Sequence, residues 1–260
     1  MKEKMYQSLI ELTNSLPVSE MLMKFSKSKI SRFVIPSYVK HYKINTDEIE
    51  GNIKSFTSLH HFFTRKLKAD ARHFEVDENT ILSPVDGVIE QLGDISMQNN
   101  IVVKNQTYSI KGMIGNERAF NKYVGGKFIV LYLSPSDYHR IHSPIKGKIV
   151  NQYSLGTASY PVNETGLSFG KTPLTTNYRV VSEMKHSEGG HVAIVKVGAM
   201  FVNSIELTQT SKFLSKGEEL AYFSFGSTVV LLFEKGSIEF PEELYDKHQI
   251  KAGEVLALKN

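Results

Sequence analysis

Cysteine is absent from all 260 residues of this chain. Its absence excludes a disulfide framework, a thiolate nucleophile and a Cys-ligated metal, and it gives no support to an oxidising compartment. Long apolar runs are missing as well: none approaches the roughly 18 residues of a spanning helix, so no transmembrane helix is expected. The first residues lack the compact apolar segment and small-residue cleavage site of a signal peptide, which makes the inside of the cell the expected location. A hydrophobic content of 41% and a charged content of 22% argue against disorder. The length suffices for a real core, as one large domain or one domain with an appendage.

Charge is unevenly placed. Residues 1–45 carry eight Lys/Arg against Glu3, Glu11 and Glu20, a balance of +5, while the whole chain is +4, so the remaining 215 residues sum to −1. Within the basic segment Met5, Leu9, Leu12 and Leu16 recur at helical spacing, and Met21, Leu22, Phe25, Phe33 and Val34 form a looser apolar side after Pro17. Two short basic amphipathic helices fit this pattern. They can pack on the body with a solvated basic face, or lie in the headgroup region of an anionic leaflet.

Residues 46–80 read as helical, through Ser55-Phe56-Thr57-Ser58-Leu59-His60-His61-Phe62-Phe63 into Arg65-Lys66-Leu67-Lys68. From about residue 81 the texture becomes short β-rich stretches separated by Gly, Pro and Asn. Expected strands are 81–82, 87–91, 127–133, 147–153, 191–197, 219–225 and 228–233. The expected fold class is α+β: a β-rich body of short antiparallel strands and hairpins, barrel- or sandwich-like, preceded by amphipathic helices.

An internal repeat follows the pattern Ser-Pro-x-x-Gly-x-Ile at residues 83–89 and 143–149. Each copy reads as a turn opening a strand, with proline fixing φ and glycine allowing a positive φ where the strand begins. The fourth position is Asp86 in one copy and Lys146 in the other. Asp86 therefore has either a role beyond the turn or a bond to its local backbone.

Titratable groups concentrate in Ser134-Pro135-Ser136-Asp137-Tyr138-His139-Arg140-Ile141-His142. Two histidines three apart suit proton transfer near neutrality. With Asp86, His139 and His142 could instead hold zinc for a hydrolase, although His-x-x-His without an embedded Glu is a weak metal motif. The repeated turns also admit a non-catalytic hairpin-type carrier or binding module. A third element is Gly226-Ser227, where a hydroxyl follows a glycine carbonyl that no Cβ screens. Ser227, a histidine and Asp86 supply a nucleophile, a base and an orienter from three separate segments.

Taken in order, Pro84-Val85-Asp86-Gly87, the Ser134-to-His142 run, Val197-Gly198-Ala199, Lys216-Gly217-Glu218-Glu219 and Phe225-Gly226-Ser227-Thr228 resemble phosphatidylserine decarboxylases throughout residues 55–235. Phe225 stands where that family has leucine. Asn177-Tyr178-Arg179 stands where it has Asn-Glu-Arg, and Pro161-Val162-Asn163 resembles its substrate-side loop.

The resemblance implies a pyruvoyl-dependent enzyme that cleaves itself between Gly226 and Ser227. Asp86, His142 and Ser227 would form the charge relay for cleavage. Ser227 would become the pyruvoyl group, whose ketone condenses with the substrate amine, and His139 would donate a proton. Residues 1–226 would become the large (β) subunit and 227–260 the small (α) subunit. The implied partners are phosphatidylserine in the membrane and an anionic lipid surface, with residues 1–45 as the attaching segment, residues 46–260 as the catalytic domain, and a peripheral location on the cytoplasmic face of the cell membrane. No metal and no nucleic acid are expected, and a homo-oligomer is left open.

Overall fold

The run Ser227-Thr228-Val229-Val230-Leu231-Leu232-Phe233 is buried at every position and forms the strand around which the fold is built. A computed structural model describes residues 16–98, 100–199 and 205–260. The strands among them are β1 (Thr80–Leu82), β2 (Gly87–Asp94), β3 (Asn100–Val103), β4 (Gln106–Ser109), β5 (Lys127–Leu133) and β6 (Arg140–His142). Then come β7 (Gly147–Leu155), β8 (Arg179–His186), β9 (His191–Gly198), β10 (Ile205–Leu207) and β11 (Phe213–Leu214). The series closes with β12 (Glu219–Phe223), β13 (Ser227–Phe233), β14 (Ile238–Glu239), β15 (Gln249–Ile250) and β16 (Val255–Lys259).

An eight-stranded sheet runs in the order β11-β7-β8-β9-β13-β5-β2-β15. Its named pairings are antiparallel, with β13 held between β5 and β9 by register from Ser227↔Leu133 and Ser227↔Gly198 to Phe233↔Lys127 and Phe233↔Val192. Both faces of the sheet are covered. Val229, Leu231 and Phe233 join a cluster with Ile141, Ala221 and Phe223 of the small sheet β10-β12-β6. Val230 and Leu232 join the opposite cluster with Tyr108, Met113 and Leu167. An α+β fold with a β-rich, sandwich-like body is therefore observed.

All seven expected strands are present. The clearest omission is β8, whose Ser182, Glu183 and Lys185 hide an apolar pattern. Glu183 is nonetheless buried against Lys122, and Ser182 accepts from the buried Lys196 at 2.8 Å. Polar side chains satisfied inside a sheet erase the alternation by which a strand is recognised.

The repeat is wider than Ser-Pro-x-x-Gly-x-Ile. Gly217-Glu218-Glu219-Leu220-Ala221 and Gly253-Glu254-Val255-Leu256-Ala257 form a second matched pair. Ser83 N donates to Glu254 O at 2.8 Å and Ser143 N to Glu218 O at 2.8 Å; Gly253 N returns to Ser83 O and Gly217 N to Ser143 O, each at 2.9 Å. The two units also bond each other, Leu82 N to Pro144 O at 3.1 Å and His142 N to Pro84 O at 2.8 Å. Repeated sequence thus becomes a local pseudo-two-fold arrangement in which the two turns abut.

Two expectations are corrected. Gly87 and Gly147 do not take a positive φ; a Cβ there would lie 2.4 Å from Tyr132 O or 2.3 Å from Lys185 O, so glycine is required by the approach of the neighbouring strand. The segment 46–80 is mostly not helical. It holds a 3₁₀ turn at Ile53–Ser55 and a short helix at Leu59–Phe63, capped where Ser58 Oγ accepts from His61 N at 3.1 Å. Its Ile49, Phe56 and Phe62 are buried with Ile35 and Ile44 in a separate cluster, and this packing overrides the helical pattern.

Residues 1–15, which include Met5, Leu9 and Leu12, lie outside the described residues. Beyond them are α1 (Leu16–Lys27), a 3₁₀ stretch at Lys29–Val34 and α2 (Ile35–Tyr42). Ser31 Oγ accepts from Leu59 N at 2.8 Å and Tyr38 Oη donates to Pro135 O at 3.1 Å, tying this part to the body. Met21, Leu22, Phe25, Ile30, Phe33 and Val34 remain exposed, Phe33 by 72%.

Candidate active site

One end of the large sheet collects the residues singled out above. Ser227 opens β13 opposite Leu133, the last residue of β5, and Gly198, the last of β9. Strand alternation turns its side chain to the same face as Val229 and Leu231, toward the sheet that carries Ile141 and Phe223. Ser227 is 0% exposed, and its Oγ has no hydrogen-bond partner. A buried hydroxyl left unpaired costs about 1–3 kcal/mol, so the position is poorly explained by structure alone. The preceding Ser224–Gly226 bend breaks the path from β12, and Phe225 and Gly226 are half-buried.

β5 carries the chain from Leu133 directly into the histidine loop. Asp137 Oδ2 accepts from Ser134 N at 2.6 Å, which shapes the turn. His139 is 0% exposed, its Nδ1 lies 2.9 Å from Asp137 O, and its Nε2 has no partner. A nitrogen facing a carbonyl must carry the proton, so Nε2 holds the lone pair. Burial, reinforced by the Arg65 charge, pushes the His139 pKa down to about 3. Phe63 packs on its ring at 4.0 Å between centroids and stacks on Phe225 at 5.1 Å.

His142 ends β6 opposite Glu219. Its Nδ1 lies 2.8 Å from Gly217 O and its Nε2 3.2 Å from Tyr138 Oη. The same logic protonates Nδ1, leaving Nε2 to accept from Tyr138. Burial lowers the His142 pKa, while the Gly217 carbonyl and the Glu219 and Asp86 charges oppose that shift.

Asp86 bonds neither its local backbone nor His142. Oδ1 accepts from Arg72 Nε at 2.8 Å and from Ala252 N at 2.9 Å, and Arg72 also grips Oδ2. Arg72 in turn reaches Glu48 Oε2 at 2.8 Å. Asp86 still lies in the neighbourhood of the histidines, because Pro84 O takes the His142 N–H and Gly87 abuts the backbone of Leu133. Gly217, Phe63 and Arg72 were given no individual role by sequence reasoning. Gly217 had a signal in the repeated Gly-Glu-x-Leu-Ala, whereas the other two act through contacts distant in sequence.

Asn177 and Arg179 brace the region. The Asn177 carboxamide accepts from Tyr160 N at 3.0 Å and donates to Tyr160 O at 2.7 Å and Gly198 O at 2.9 Å. Arg179 donates to the carbonyls of Met113 and Gly112, both at 2.7 Å. An open cavity of about 220 Å³ adjoins the site, lined by Lys43, Arg65, Arg72 and Lys251 together with Glu48, Asp86, Asp137 and Tyr138. Among the described residues no three His, Cys, Asp or Glu side chains converge as metal ligands, so Asp86, His139 and His142 do not form the set a zinc hydrolase would use.

A sequence profile of the family described as phosphatidylserine decarboxylase matches residues 59–258. A phosphatidylserine decarboxylase proenzyme of Geobacillus sp. (strain WCH70) is 54% identical over 250 residues, 96% of each chain. Proteins of the same description from Bacillus thuringiensis subsp. konkukian (strain 97-27) and Bacillus cereus (strain 03BB102) are 49% identical over 259 residues, covering 100% of this chain and 98% of theirs.

Proposed function

The chain belongs to the phosphatidylserine decarboxylase family, and from that premise we propose that it is a proenzyme that cleaves itself between Gly226 and Ser227 and then converts phosphatidylserine to phosphatidylethanolamine and CO₂. The observation that carries the reading is the Ser227 hydroxyl, wholly buried, unpartnered and directly after a glycine carbonyl. That orphaned group fits the precursor of a pyruvoyl cofactor.

His142 acts as the base. Gly217 O fixes its tautomer, and Nε2 takes the Ser227 proton once the Tyr138 hydroxyl gives way. The Asp86 charge favours the resulting imidazolium through space rather than by a hydrogen bond. Ser227 Oγ bonds to the Gly226 carbonyl carbon, the C–N bond breaks, and an ester with a free Ser227 amine results. Loss of the Ser227 α-proton expels the Gly226 carboxylate. The dehydroalanine left at 227 tautomerises to an imine, and water releases ammonia and leaves a ketone.

The pyruvoyl group supplies the electron sink for the pair left behind by CO₂. The chain's own task is then to orient the substrate and return a proton, for which His139 is the candidate: its Nε2, which holds a lone pair at rest, first takes up the proton that it then delivers. A cavity with four cationic and three acidic side chains suits a headgroup bearing both signs of charge. Exposed Ile30 and Phe33 beside Lys27, Lys29 and Arg32 suit peripheral attachment to an anionic leaflet, where each basic residue contributes about 1 kcal/mol.

Denaturing mass spectrometry tests the proposal. Two fragments are expected, 1–226 and 227–260, the second beginning in a ketone, while Ser227→Ala stays whole and inactive. A wild-type chain that decarboxylates phosphatidylserine without being cut would overturn it.

A further inference from the structure

We propose that Phe63 and Phe225 form an aromatic latch that seals Ser227 and His139 from solvent in the uncleaved chain, and that cleavage after Gly226 releases it. The proposal rests on the self-cleavage reading above. Its starting point is a conflict of access. The substrate amine has to reach position 227, yet Ser227 and His139 are both 0% exposed.

Phe63 closes that space from one side. It is buried on the short helix Leu59–Phe63, which Ser58 caps, and its ring lies 4.0 Å from the His139 ring. On its other side it stacks nearly parallel to Phe225, at 5.1 Å and 14°. The two partners of Phe63 are held differently. His139 is bracketed by backbone, its Nδ1 on Asp137 O and its carbonyl accepting from Phe223 N at 2.9 Å. Phe225 sits in the Ser224–Gly226 bend, pinned between the end of β12 and the start of β13. Nothing lies within 4 Å of where a Cβ on Gly226 would be, so the bend borders open space.

Departure of the Gly226 carboxylate, which cuts the ester that still ties the two segments after the C–N bond has broken, removes the chain constraint on the Ser227 side of Phe225. Phe225 becomes the penultimate residue of a free chain end, which frays where a closed bend does not. One aromatic stack is a modest attraction and holds best when the backbone already presents the ring. A leucine at 225 would have no face to stack, so the latch depends on the aromatic ring of Phe225.

The seal also bears on the outcome of cleavage. If water reached the ester, hydrolysis would break the bond between the Gly226 carbonyl carbon and Ser227 Oγ, rather than the Oγ–Cβ bond that elimination breaks, giving a Gly226 carboxylate and leaving an ordinary N-terminal serine. Elimination to the ketone requires that water be kept away until the carboxylate has left. Phe63 is thus a positioning residue for His139 and, with Phe225, a water barrier over Ser227.

The test reads acylation of the His139 imidazole by diethyl pyrocarbonate, with exposed His41 as the internal reference in the same peptide mass spectra. In intact Ser227→Ala, His139 is expected to react about tenfold or more slowly, relative to His41, than in cleaved wild type, because reaction needs local opening. Adding Phe225→Ala to Ser227→Ala should restore the faster rate without any cleavage. Phe225→Leu, which keeps the bulk but not the stack, should move it the same way if the alanine variant misfolds. In an otherwise wild-type chain, Phe225→Ala should raise the share of small fragment beginning in serine. Equal His139 reactivity in intact and cleaved chains, fast or slow, overturns the latch. A wild-type sample that remains one uncut chain overturns the self-cleavage reading instead, so the two failures are distinguishable.

Discussion

Ser227 shows how little a residue's identity says without its surroundings. A serine after a glycine is ordinary turn chemistry, and its meaning changes only when the hydroxyl is wholly buried without a partner. His142 supplies the clearest prediction at this scale. Burial lowers its pKa, so it stays unprotonated, and able to act as a base, to pH values below the ordinary histidine value of about 6.5. Processing of freshly synthesised chain, followed by gel after a pH jump, should therefore keep its rate through pH 6.5 and fall only as pH drops through the depressed value. Asp86→Asn removes a charge that favours the imidazolium, so the acid limb should move lower still and the rate should drop. His142→Ala should slow processing by about 10² to 10⁴. An acid limb centred at or above pH 6.5 would contradict the role of a buried base.

At the scale of elements, the strands that alternate cleanly or are apolar throughout were legible from sequence, and β8 was not. Its Glu183 and Ser182 are satisfied by Lys122 and Lys196 from elsewhere in the chain, and no local pattern reveals such partners. The 46–80 segment fails for the opposite reason. Its helical spacing is real, but Ile49, Phe56 and Phe62 bury themselves against Ile35 and Ile44 without a long helix. The N-terminal elements divide their residues between two surfaces: Ile35 docks on the body, whereas Ile30 and Phe33 face outward. Ile30→Ser with Phe33→Ser should weaken sedimentation with anionic liposomes by about a hundredfold or more, since each removes about 1.5–3 kcal/mol of potential apolar burial and about 1.4 kcal/mol is a factor of ten. Cleavage at Gly226 should be unaffected. Unchanged liposome binding would assign these residues to some other contact.

For the whole molecule, β13 sits in the middle of the large sheet, bonded along its length to β5 and β9, while β15 and β16 pair with β2 and β1. Asp86 adds a link from one predicted fragment to Ala252 in the other. Fragments 1–226 and 227–260 should therefore co-elute in native size exclusion and separate only in denaturant. Dissociation in plain buffer would mean that the sheet is not preserved after cleavage.

The class of fold and most of the long strands were legible in the sequence, because alternation is a local property, and Asp86, His139, His142 and Ser227 stood out there as candidates through their residue chemistry and the family resemblance. How these residues are partnered came from the packing of the folded chain. It gave Asp86 to Arg72, His142 to Gly217 and Tyr138, and His139 to Phe63, and it left the Ser227 hydroxyl alone. The physical reason is the same in each case: a side chain's partners come from segments tens of residues away, brought together by burying sheet faces whose composition says nothing about which polar atoms will meet.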